Sequence, residues 1–86
     1  MTNELLEKLA KSEHDRWSRW MFYLFSESTL NEDGTVTIPE KLVARWKGQA
    51  GTCYHRLSDA EKESDRKEAR RTLAIIGTYF LGKEGL

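Results

Sequence analysis

Cysteine and histidine are scarce in this chain, it has no net charge, and none of its hydrophobic runs is long. One cysteine, Cys53, among 86 residues closes no internal disulfide and fits a reducing compartment, so a cytoplasmic location is expected. That thiol and two imidazoles, His14 and His55, fall short of the three or four ligands at recognisable spacing that a metal site needs. A Cys–His nucleophile pair would also lack an orienting group and an oxyanion site. Neither a metal, a cofactor nor enzymatic activity is expected. Fourteen basic and fourteen acidic residues cancel, so no global field draws the protein onto DNA, RNA or a membrane surface. No apolar run approaches the ~20 residues that span a bilayer, and the leading MTNELLEKLAK is amphipathic rather than signal-like.

What the chain does have is aromatic rings and helical periodicity. Three Trp, three Tyr and three Phe offset a length near the lower end of what folds without staples. That length allows one domain, 1–86, with one core. At a hundred degrees per residue, a helix over 3–26 places Leu5, Leu6, Leu9, Trp17, Trp20, Met21 and Leu24 on one side. Thr2 or Asn3 can cap it, and Glu4 and Glu7 suit its positive end. Phe22 and Phe25 lie off this stripe and need another cover, most simply a second subunit, with a two-fold dimer as the expected form.

The stretch 26–37 reads as a loop with an Asp33-Gly34 turn and a short extended piece near Val36. Thr37 and Glu40 form a capping-box pattern with Pro39 in the first turn, opening a short helix over 38–47 that ends near Gly48. Ser58 and Glu61 form another, opening a helix over 59–81 with Ala69, Leu73, Ile76 and Phe80 as its core stripe and Tyr79 beside it. Gly77 is expected to admit an aromatic ring and Gly82 to stop the helix. The fold class is mainly α: two long packed helices, with a short helix and a loop between them.

Glu13 falls at the centre of the first apolar stripe. A bare carboxylate there costs several kcal/mol unless it is paired. Arg66 and Lys62, near the start of the last helix, are the expected partners. Two readings stand: a structural Glu13–Arg66 ion pair locking the long helices together, weighted first, and an anion or ribose pocket built around the same charges. For His14, Trp17 and Trp20 the alternatives are base stacking and ordinary core, with core weighted first.

Three blocks share an order in the chain: Glu13-His14-x-x-Trp17, then Tyr54-x-x-Leu57, then Glu61-Lys62-x-x-Asp65-Arg66-x-x-Ala69. Together they resemble the signature of the ryanodine-receptor-type repeat domain, over roughly 9–80. They are also similar to small phage proteins with an EH-x-x-W-x-x-W start and the same KxxDRxxA block. The chain departs from the family in its Glu-His order and in lacking a Gly-Trp after the first helix. The resemblance implies a compact helical module. In receptor channels such modules are peripheral interaction units, some linked to adenine nucleotides. In bacteria they resemble parts of defence proteins that handle nucleotide-derived signals.

Lys67, Arg70 and Arg71, with His55 and Arg56, make a local basic patch diluted by Glu61, Glu63, Asp65 and Glu68. Such a patch does not read a nucleic-acid groove, yet two or three cations suffice for the phosphates of one small nucleotide. The amides at the Ser58 helix start add to it. The expected ligand-binding residues are therefore Tyr54, Arg66, Arg70, His14 and Trp17. The expected function is a non-enzymatic, phage-encoded anti-defence sponge that binds a nucleotide-derived signal of ADP-ribose or cyclic-nucleotide type. The alternative is a protein-interaction module docking on a host or phage protein through its aromatic surface.

Overall fold

The fold is seen in a computed structural model that describes residues 2–84. Helix α1 is Thr2–Ser26, β1 is Thr29–Leu30, β2 is Val36–Thr37, α2 is Glu40–Ala50 and α3 is Asp59–Glu84, with a single 3₁₀ turn at Tyr54–Arg56. The expected class is what forms: two long helices pack together and a short helix and a small hairpin lie between them. No described helix is long and apolar enough to cross a membrane.

Local chemistry explains the boundaries. The hairpin pairs Thr29 with Thr37 and Leu30 with Val36. Its turn needs Gly34 at φ 88, a left-handed conformation that costs glycine little. Asp33 Oδ1 closes the turn by accepting from Thr35 N at 3.0 Å and from Thr35 Oγ1 at 2.6 Å. The Ser58 box forms as read: Glu61 N donates to Ser58 Oγ at 3.2 Å, and Ser58 N donates back to Glu61 Oε1 at 3.0 Å.

The Thr37 box does not form. Pro39, at φ −55 and ψ 140, is the N-cap of α2 and makes no side-chain cap bond. Thr37 is committed to the hairpin, where its hydroxyl accepts from Asn31 Nδ2 at 3.0 Å. Helix α2 also runs through Gly48 to Ala50, and α3 runs through Gly82 to Glu84. A single glycine costs a helix interior about 1 kcal/mol and does not by itself end it. Thr2 and Asn3 are already helical, and a cap before them lies outside the described residues.

Helices α1 and α3 are antiparallel. Arg16 and Arg19 of α1 meet Glu68 of α3, while Glu4 and Gly82 border one groove at the opposite end. The seam between them uses sides of the helices other than those the apolar stripes suggested. Tyr79, only 9% exposed, is core together with Leu42 at 7%. Most of the α3 stripe is not: Leu73 is 65% exposed and Phe80 and Ala69 are exposed as well, while Ile76 is half-buried. Trp17 is 60% exposed and Trp20 is exposed too, so neither is the buried core ring expected of it. No atom lies within 4 Å of a Cβ built on Gly77, so no ring approaches it.

The outcome is a slab. Its extents are 55 × 35 × 16 Å and its radius of gyration is 17.4 Å, against about 12 Å for a compact chain of this length. Its short dimension exceeds the ~10–12 Å of a single helix by only a few ångströms.

Candidate functional site

The charged centre of the molecule is Glu68, not Glu13. The Glu68 side chain is 19% exposed and receives three guanidiniums: Arg19 Nη2 at 2.6 Å, Arg16 Nε at 3.4 Å and Arg71 Nε at 3.4 Å. Arg16 Nε is buried without a hydrogen bond, so its contact with Glu68 is ionic rather than directional. Arg16 Nη2 also donates to Glu13 Oε1 at 2.8 Å. Glu13 is thus neutralised within its own helix.

The expected Glu13–Arg66 pair does not exist. Arg66 instead lies 3.6 Å from Glu63 on α3. The reason is angular: Arg66 precedes Glu68 by two residues, about 200° around α3, and Glu68 faces α1. Arg66 therefore stands on the far side of its helix.

Glu63 takes Arg70 as well, and that guanidinium holds its carboxyl below the ordinary value of 4.5. The Ser58 helix start is likewise engaged, because Glu61 occupies it. Hydrogen bonds from the Ser58 amide and hydroxyl lower the Glu61 carboxyl in the same direction. An anion reaching this region would have to displace these carboxylates from their donors.

At the α2 end of the slab the layer holds a groove of about 490 Å³ lined by Trp20, Leu24, Trp46, Tyr54, Leu57 and Asp65, among others. The groove volume falls in the range of small-molecule sites. Two of its rings share a neighbour outside the lining: Trp20 meets Tyr23 edge-on at 5.9 Å and Trp46 meets Tyr23 at 6.3 Å, while Lys62 Nζ sits 5.8 Å from the Tyr54 ring centroid. Of the five expected binding residues only Tyr54 lines this groove. His14 and Trp17 contact each other at 6.0 Å on α1, and Arg66 and Arg70 share Glu63.

Trp46 and Asp65 line the groove and were not among the residues that the sequence singled out for binding. Glu68 was visible only as a diluting acid. Its signal lay in its register, since it shares a helix face with Thr72, Ile75 and Tyr79. No family model, no curated protein and no solved structure matches the chain.

Proposed function

We propose that this chain is a non-enzymatic binding module for a nucleotide-derived small molecule, with the planar base seated in the Trp20–Trp46–Tyr54 groove. The observation that carries the reading is the groove itself. Three aromatic side chains and one carboxylate, Asp65, line it, a set of groups suited to stacking a flat heterocycle and accepting a hydrogen bond from an exocyclic amine. The phosphates run outward past Lys62 and then Arg66 and Arg70, which follow at one-turn spacing on α3 and exchange Glu63 for the ligand. His14 and Trp17 line no part of this path. Capture with slow release needs affinity and no chemistry. It suits a sequestering phage protein, the setting suggested by the similarity to small phage proteins with the same EH-x-x-W-x-x-W start.

The test is a thermal-shift titration with ADP-ribose-type and cyclic nucleotides, read alongside tryptophan fluorescence. A ligand at a hundred times its dissociation constant stabilises by about 2.7 kcal/mol, a rise of about 15 °C in melting temperature for a domain of this size. Trp46→Leu should abolish the shift, and Arg70→Ala should weaken affinity about tenfold. Absence of both a shift and quenching across the panel would sink the reading.

A second reading, a protein-interaction module, is favoured by a different observation: the exposed aromatic and aliphatic side of the α1–α3 layer.

A further inference from the structure

We infer that a second copy of this chain docks on the apolar side of the α1–α3 layer, away from the groove end. Three observations place it there.

The first is the direction of the stripes. Leu6 and Trp17 on α1, and Leu73 and Phe80 on α3, are all exposed. Each stripe sits about a third of a turn past the seam marked by Arg19 and Glu68. The helices wind in opposite senses along the layer because they are antiparallel, so both stripes open on the same side. Helix α2 and the Tyr54 turn cover one end of that side, at the groove. Nothing in the described chain covers the remainder. The groove on the other side is mixed: Lys8, Lys11, Asp15 and Arg71 border it together with Ala74, Ile75 and Tyr79.

The second is area. The chain exposes 7098 Å², whereas a compact 10.0 kDa protein exposes about 5,200 Å². The excess, about 1,900 Å² per copy, amounts to about 3,800 Å² for two. That lies within the range of obligate homodimer interfaces.

The third is charge. The acidic residue in this side, Glu13, is already paired with Arg16 at 2.8 Å, and the chain has no net charge to set copies against each other. Two such layers packed face to face make a four-helix arrangement with two-fold symmetry, the commonest form of self-association. The interface lies across Trp17 and Leu73. Phe22, 75% exposed, belongs to the opposite side by its helical angle, and Phe25 to the outer edge.

Sedimentation equilibrium on the full chain at micromolar concentrations tests this. The expected mass is twice 10.0 kDa; a monomer mass with helical circular dichroism overturns the inference. Leu73→Glu should weaken association about a hundredfold, because it places an unpaired charge in an apolar contact, while Phe22→Glu should leave it intact. The reverse pattern overturns the assigned face. Acrylamide quenching supplies a readout that does not depend on the charged variant folding. In a Trp20→Phe, Trp46→Phe background of checked helicity, Trp17 should be protected at dimer concentrations. Full accessibility of Trp17 in a dimer overturns the inference. These readouts are hydrodynamic and local, so their failure is separate from a failure of nucleotide binding.

Discussion

Glu68 and Glu13 show how two carboxylates of one chain come to contribute unequally to stability. Glu13 is well exposed and makes one contact with Arg16 at i+3, an arrangement worth at most about 1 kcal/mol. Glu68 is largely covered and gathers three guanidiniums across the α1–α3 seam. Replacing it strands like charges against one another. Glu68→Gln should therefore cost about 2 kcal/mol, between the surface and buried extremes, and Glu13→Gln less than about 0.5 kcal/mol. Urea denaturation of the two variants checks the ordering, and equal losses would contradict it. Gly77 provides an independent probe. With open space around its Cβ position, Gly77→Ala should stabilise by about 1 kcal/mol, the intrinsic helix preference of alanine over glycine. A loss there would mean that something packs on that edge of α3. At this scale the sequence was least legible. Periodicity placed Glu13 among apolar residues, but the choice between Glu13 and Glu68 as the central charge depends on which face of α1 meets α3. That choice is made by several arginines at once.

Among the elements, the helices were legible and their ends partly so. The Ser58–Glu61 box formed because both residues were free to make it. The Thr37–Glu40 box failed because the hairpin had already taken Thr37. Ser58→Ala should cost about 1 kcal/mol and fray the first turn of α3, visible as faster amide exchange over 59–62. The same element carries a pH dependence. The carboxyl of Glu61 is lowered by its Ser58 hydrogen bonds and that of Glu63 by Arg70. Two further carboxyls are lowered elsewhere: Asp15 by Lys11 and Asp33 by Thr35. A group lowered in the folded state contributes stability that is fully present above its unfolded value, 4.5 for Glu and 3.8 for Asp. That stability is lost as pH falls through the folded value. Stability should therefore decline below about pH 4.5, and less steeply in Glu61→Gln than in the unaltered chain. An identical acid profile for both would remove Glu61 from the account.

For the whole molecule, composition allowed a single domain and patterning showed which side of each long helix is apolar. Patterning cannot show what covers that side. Leu73, Phe80, Trp17 and Leu6 read as core by spacing and stand exposed in one copy. The groove was half legible: Tyr54 was found as a stacking ring, while Trp46 and Asp65 entered it only through the way α2 folds back on α1 and α3. The central claim is that one copy leaves its apolar side bare, so that folding is completed by another. Melting temperature against protein concentration tests this most directly. For a folded dimer that melts to separate chains, each tenfold increase in concentration adds about 1.4 kcal/mol, or about 3–5 °C at the size of two chains. That rise is expected across a hundredfold range of concentration, and melting curves that superimpose over the whole range would contradict dimeric folding.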